Sequence, residues 1–404
     1  MSRTRLAIIS THPIQYYAPL FQALARSAAL HPRVFYTWSQ TAAGPIADPG
    51  FGRVITWDVP LLSDYEFEFV PNLARRPGAH FWGLHNPGLI PAIRAWQADA
   101  VLVFGWSAES HLRALVHFKG RLPVLFRGDS NLLDQPRSWR KLARRAVLTW
   151  VYTHVDVAIA VGSNNHDYYR WCGLPDERVA FAPHAIDVQR FSDPDGAHTR
   201  RAREWRQELD LPEEARVILF AGKMQAKKDP LLLLEAFLAA GCPGHLVLAG
   251  SGELEEALQA RGRGHGNIHF LPFQNQLAMP ALYRLGDVFA LPSRGPGETW
   301  GLALNEAMAC ARAVIASSKV GGARDLLKPG TNGWLFQAGA GGELTQVIRE
   351  ALQSDAGKLH AMGQAAREEI ARWSIEAAAA GIESAVLRAV AERARLRSPA
   401  GTPG

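Results

Sequence analysis

The chain reads as an α/β protein of two domains, each a parallel sheet covered by helices. Three observations predict this. The length, 404 residues, exceeds what one ordinary core holds and suits two domains of roughly 200 residues each. Short aliphatic and β-branched runs alternate with helix-length stretches in both halves, the pattern of parallel strands joined by crossover helices. Glycine- and lysine-bearing segments recur just after those runs, at the carboxyl edge where such sheets hold ligands.

In the first half, residues 5–10 form a strand, Thr11-His-Pro-Ile-Gln15 breaks it, and 18–29 carries helical periodicity. Residues 33–36, 100–104, 123–127 and 155–160 are further strands. Region 44–83, rich in Pro, Phe and Trp, reads as a loop excursion. The alternation restarts with strands at 216–220, 245–249, 267–271, 287–291, 313–316 and 333–335, and helices at 230–239, 253–260 and 277–285. Segment 191–214, charged and punctuated by Asp193-Pro-Asp-Gly196, reads as a linker. It divides the chain into a first domain, 1–190, and a second, 191–372. Residues 373–404 carry an alanine-rich helix at 375–391, which docks either on the first domain or on its own, and a disordered tail from Arg397.

Composition narrows the class. A chain 48% hydrophobic and 20% charged is a folded soluble protein. Cys172, Cys242 and Cys310 form no Cys-x-x-Cys pair, so neither a disulfide framework nor a metal site is expected. Leu6-Ala-Ile-Ile9 is too short for a secretory core and no run approaches the ~20 apolar residues of a membrane span. The expected location is the cytoplasm, with the inner face of the membrane as a variant. A net charge of +6 suits nucleotide phosphates, anionic lipid or an acidic acceptor. Without a recognised motif or aromatic platform it does not suggest nucleic acid. Monomer and homodimer both remain open.

The most informative stretch is Gly295-Pro-Gly-Glu-Thr-Trp-Gly-Leu-Ala-Leu-Asn-Glu306. It follows the strand at 287–291 and opens a helix, with Glu298 and Glu306 on either side of the helix start. Helix-terminal amides there meet a phosphate, while the carboxylates hold sugar hydroxyls. The residues thus point to transfer of a sugar from a nucleotide carrier. The plainer alternative makes Glu298 an acid that favours the helix dipole and Glu306 a surface residue. Upstream, Gly222 lets backbone approach a ligand, and Lys223 and Lys228 neutralise a diphosphate as charge forms on it. Their alternative is a solvated loop. Gly250 and Gly252, and the turn Gly321-Gly322, follow other strands and serve either the nucleotide or a tight turn.

These motifs resemble the retaining nucleotide-sugar glycosyltransferases of the GT-B class, family 4. Their two Rossmann-like domains have parallel sheets facing a central cleft. The resemblance covers most of the chain and is strongest over 155–336. It implies that Glu298 contacts donor-sugar hydroxyls and Glu306 the ribose, with amides of Thr299, Trp300, Gly301 and Leu302 facing sugar or diphosphate. Lys223, where Arg is commoner, and Lys228 match the family's basic pair. Phe270 and Leu271 match the stretch that lines the base. The implied donor is a UDP- or GDP-sugar, with UDP favoured, and no essential metal is implied. Front-face transfer with retained configuration follows, in which the leaving diphosphate helps deprotonate the acceptor hydroxyl.

The first domain departs from the family pattern. Ser10-Thr-His12 stands where many relatives have Gly-Gly, Arg127-Gly-Asp129 where many have histidine, and His184-Ala185 where Asn-Gly is usual. The first two stretches resemble a subgroup associated with surface-polysaccharide assembly, implying a saccharide or lipid-linked saccharide acceptor. His12, Arg127 and Asp129 are the candidate acceptor or sugar contacts, with Asp129 the candidate base. A cap before Pro13 and a salt-bridged turn are their structural alternatives. Rival functions are a nucleotide-sugar epimerase and a non-catalytic nucleotide-sugar-binding subunit. Finally, Arg137, Arg140, Lys141, Arg144 and Arg145 share one helical face, and Trp139, Leu142, Ala143, Ala146, Val147 and Trp150 another. This reads as a helix with its apolar face on the domain core, with peripheral association at an anionic membrane as the alternative.

Overall fold

The computed structural model describes residues 3–39, 45–48, 50–134 and 139–397. The chain divides into two units. One comprises Met1–Gly44, Pro60–His184 and Ile375–Gly404, the other Pro45–Val59 and Ala185–Ser374. Arg137 and, of the tail expected to be disordered, residues 398–404 fall outside the described residues.

The first unit runs β1 (Thr4–Ser10), α1 (Ala18–Ala25) and β2 (Leu30–Tyr36). The hairpin β3 (Ile46–Asp48) and β4 (Arg53–Ile55) follows but belongs to the second unit. The first unit resumes with β5 (Glu66–Phe69), α2 (Leu89–Ala95), β6 (Ala100–Phe104), α3 (Glu109–Phe118), β7 (Val124–Arg127), α4 (Trp139–Thr153), β8 (Val157–Ala160), α5 (Ser163–Trp171) and β9 (Val179–Phe181). The strands form one parallel sheet in the order β5-β2-β1-β6-β7-β8-β9. Leu6, Ala7, Ile8 and Ile9 are fully buried, because helices cover both faces of such a sheet and its strands read as continuous apolar runs. The region expected to be a loop excursion therefore contains an edge strand and a hairpin. In β5, Glu-Phe-Glu-Phe alternates with period two and pairs with β2, a half-buried pattern hidden among prolines.

The second unit runs α6 (Ala197–Glu208), β10 (Val217–Lys223), α7 (Pro230–Ala240), β11 (His245–Ser251), α8 (Glu255–Gly262), β12 (Ile268–Leu271), α9 (Met279–Leu285), β13 (Val288–Leu291), α10 (Leu302–Ala309), β14 (Ala313–Ser317), α11 (Ala323–Leu326), β15 (Gly333–Phe336), α12 (Gly341–Gln353) and α13 (Ala356–Ile370). Its parallel sheet has the order β12-β11-β10-β13-β14-β15. Half of the segment read as a linker is α6. Its charged sequence conceals Ala202 and Trp205, both buried, three positions apart on one face. The last helix, α14 (Ile375–Arg397), is part of the first unit and packs on α1. Among the described residues no helix is long and apolar enough to cross a membrane.

In α4 the buried residues are Leu148, Val151 and Tyr152. Leu142, Val147 and Trp150, read as core-facing, are instead 69%, 55% and 51% exposed. The helix buries a narrow stripe, Leu148, Val151 and Tyr152, and Leu142, Val147 and Trp150 lie off that stripe.

Candidate active site

Strand order in the second sheet reverses at the β10–β13 pair. The connections leaving those strands pass to opposite faces and open a crevice at the carboxyl edge. One loop carries Lys228, at the end of a 3-10 turn. The other carries Ser293 and Glu298 and ends at Gly301, the N-cap of α10. Lys228 Nζ donates to Glu298 Oε2, and the Ser293 hydroxyl donates to the same oxygen at 2.8 Å. The Arg294 amide donates to the Lys227 carbonyl at 3.0 Å, tying the loops together. Glu298 is only 8% exposed, and a buried carboxylate requires such partners.

Gly301 has φ of 92°, and a Cβ there would lie 2.7 Å from Val320 and 3.0 Å from Leu291. Only glycine fits on both counts. It turns the Glu298 loop into α10, whose first turn presents the positive end of the helix dipole beside Glu298 and Lys228. Thr299 and Leu302 flank this turn. The reading of Trp300 as a ligand contact rests on its amide, and its side chain faces elsewhere. Its indole is 3% exposed, donates to Asn305 Oδ1 at 2.9 Å and packs on Trp373, so it belongs to the core. Gly321 and Gly322 brace the same loop. The Gly322 amide donates to the Trp300 carbonyl at 2.7 Å, and a Cβ at Gly322 would lie 2.9 Å from the indole.

Glu306 is 2% exposed, which removes its reading as a surface acid. It accepts from the Tyr283 hydroxyl at 2.7 Å and lies 3.9 Å from Arg190, which donates to Gln276 at 3.1 Å. Tyr283, Arg190 and Ser293 were not legible as site residues, since none sits in a motif. The two carboxylates thus take different partners, a lysine and a serine for Glu298, a tyrosine and an arginine for Glu306.

Gly222 and Gly250 are paired neighbours in β10 and β11. A Cβ on Gly250 would fall 1.9 Å from the Gly222 carbonyl oxygen, so close strand approach explains Gly250 without a nucleotide. Phe270 and Leu271 end β12, both half-buried. Lys223, at the end of β10, meets the hairpin. Its Nζ donates to both oxygens of Asp48 at 2.9 Å and lies 4.9 Å from the Phe51 ring centre. Burial raises the Asp48 pKa, but Lys223 and the Gly50 and Phe51 amides outweigh it and hold the carboxyl below its usual range. The Ser251 hydroxyl donates to the Phe51 carbonyl at 2.9 Å, and Phe51 meets Phe273 edge-on at 4.7 Å. The hairpin is therefore seated on the carboxyl edge of β10 and β11.

In the first unit, Arg127, a candidate sugar or acceptor contact, is held by the backbone beyond β9. It is 4% exposed, and its two terminal nitrogens donate to the carbonyls of Ala182 and Pro183 at 2.8 and 2.9 Å. It clamps the chain beyond β9. Asp129 is half-buried and lines a cavity with Trp106. His12 Nδ1 lies 3.0 Å from the Thr11 hydroxyl, its ring is edge-on to Trp38, and burial lowers its pKa. His184 is pushed down to about 4, by burial first, against the opposing pull of Asp129. A histidine neutral in the folded state contributes stability that is complete above about pH 6.5 and is lost as pH falls from there toward 4. His184→Asn is expected to remove up to about 3 kcal/mol of this acid-side decline. Urea unfolding at pH 7 and pH 4.5 checks it, and an unchanged difference between the two pH values contradicts it.

The second unit thus sets two lysines and two buried carboxylates near a helix N-terminus at its strand-order reversal, and the two parallel-sheet units are those of a GT-B fold. Residues 201–369 match the family described as glycosyl transferases group 1. It is 28% identical over 340 residues to D-inositol 3-phosphate glycosyltransferase from Streptomyces bingchenggensis, covering 79% of this chain and 71% of that one. The corresponding protein of Geodermatophilus obscurus is 33% identical over 201 residues, 46% of this chain and 42% of that relative, so here the chain spans less than half of the relative. In structure, Anabaena Alr3699/HepE in complex with UDP and glucose matches with a TM-score of 0.67 at 18% identity, covering 98% of this chain and 100% of that one. Sucrose-phosphate synthase from Thermosynechococcus elongatus gives 0.68 at 19%, with the same coverage. At these identities the structural matches establish the fold alone.

Proposed function

We propose that the chain is a retaining glycosyltransferase moving a sugar from a UDP-sugar to a hydroxyl of a saccharide or lipid-linked saccharide. The observation that carries this reading is the Lys228–Glu298–Ser293 cluster at the start of α10. Donor diphosphate takes the ammonium groups of Lys228 and Lys223 and the first turn of α10. The sugar hydroxyls take Glu298, and the ribose takes Glu306. In the transfer the anomeric carbon's bond to the β-phosphate oxygen breaks and its bond to the acceptor oxygen forms on the same face. The acceptor proton goes to the leaving diphosphate, whose growing charge the lysines stabilise. A solved structure of similar fold holds UDP and glucose, which supports a UDP donor.

A screen of UDP- and GDP-sugars against glycan and lipid-linked acceptors, with the product anomer read by NMR, tests this. Retained configuration is expected. An inverted product, or epimerised donor without transfer, overturns it.

The Asp48–Lys223 pair follows from the same reading, because the diphosphate must displace the carboxylate. Asp48→Asn is expected to tighten UDP binding about fivefold, the scale of a solvent-accessible ion pair. Calorimetry with UDP checks this, and equal or weaker affinity contradicts it.

A further inference from the structure

The first sheet also reverses strand order, at the β1–β6 pair. Near that reversal lies a cavity of about 600 Å³ that no donor group explains. Its floor is the carboxyl ends of β6 and β7, and its roof is α4. Most of its wall is apolar or aromatic, with Trp106, Phe126, Val147 and Tyr168 prominent, while Asp129 and Arg144 are its charged members. A sugar hydroxyl or water molecule gains little from such walls, whereas a hydrocarbon chain gains about 0.8 kcal/mol per buried methylene.

The outside of α4 carries a matching chemistry. Leu142, Ala146 and Trp150 recur every four residues along an exposed face, one ridge of a helix. Lys141, Arg144 and Arg145 accompany them, and Lys141 and Arg145 lie over the Trp171 ring. Exposed apolar side chains interleaved with cations suit an amphiphile whose polar part is anionic. Arg144 belongs to both surfaces, being exposed and at the cavity wall. One ligand chemistry satisfies all of this, a hydrocarbon chain joined through phosphate to a hydroxyl-bearing head.

We propose that the cavity under α4 binds the hydrocarbon chain of a phosphate-linked lipid acceptor, with its phosphate at Arg144 and its reacting hydroxyl at Asp129. This deepens the proposed function, on which the identity of the hydroxyl as acceptor rests. The cavity selects among acceptors, because a free saccharide leaves the apolar walls unfilled.

The test is calorimetry on the full chain with decyl phosphate below its micelle concentration, beside decyl maltoside and inorganic phosphate. Decyl phosphate is expected to bind, and decyl maltoside and inorganic phosphate to bind at least tenfold more weakly. Ala143→Trp, which fills the cavity from an exposed helix position, and Arg144→Ala are each expected to weaken decyl phosphate at least tenfold. UDP titrated into the same preparations reports an intact donor site. Undiminished decyl phosphate binding in Ala143→Trp places the chain on the outer ridge and overturns the proposal. Equal binding of decyl maltoside removes the phosphate contact and overturns it too, as does no binding of decyl phosphate. Absence of UDP binding alone would instead reject the donor reading and leave the cavity result standing.

Discussion

Lys228→Ala is expected to lower kcat by about 10²–10³, the cost of losing one charged group that stabilises a transition state. The same change is expected to destabilise the second unit by about 3 kcal/mol, because Glu298 is left buried without its cation. The Lys228–Glu298 contact makes both losses necessary. The double variant Lys228→Met, Glu298→Gln separates them, since it removes both charges from the buried pair and keeps the Ser293 contact to a neutral amide. It is expected to recover most of the stability and none of the turnover. Steady-state kinetics and urea unfolding of the three proteins decide it. Recovery of activity along with stability would mean the pair is only structural.

Glu306→Ala is expected to weaken UDP binding by about 10- to 100-fold, the worth of one or two hydrogen bonds to a charged group. Stability also falls, because the Tyr283 hydroxyl loses its acceptor and Arg190 its nearest carboxylate in a buried setting. Tyr283→Phe isolates that second effect. It removes the hydroxyl but keeps the ring in the core, so it is expected to cost about 1 kcal/mol of stability with UDP affinity within about twofold. If Tyr283→Phe weakens UDP as much as Glu306→Ala does, Glu306 acts through packing and its ribose role is wrong.

The parts of this protein legible in its sequence are those with strong local signals. The central strands of the second sheet were visible because a buried parallel strand is a continuous apolar run, as in Val217–Phe220 and Val288–Leu291. The Glu298–Glu306 stretch was legible because glycine, carboxylates and a helix start fall together in one segment. What sequence missed depends on partners far along the chain. Helix α6 looked like a linker because one face, Ala202 and Trp205, is all that it buries. Edge strand β5 has no fully buried residue and alternates glutamate with phenylalanine, so it lacks the apolar run of a covered strand. Asp48 reaches Lys223 across 175 positions, which no local pattern announces. Arg127 has the composition of a binding residue, yet its guanidinium is occupied by Ala182 and Pro183 carbonyls. Gly250 likewise looked like a phosphate glycine, and its reason is the backbone of Gly222 alongside it.

The central claim is that the crevice between the β10 and β13 loops holds the donor's diphosphate. A crystal structure with UDP bound tests it most directly. The expected result is a diphosphate within about 3 Å of Lys228 Nζ and of amides in the first turn of α10, with ribose hydroxyls at Glu306 and Asp48 displaced from Lys223. A diphosphate seated away from Lys228 and α10, with the Lys228–Glu298 and Lys223–Asp48 pairs both intact, would contradict it.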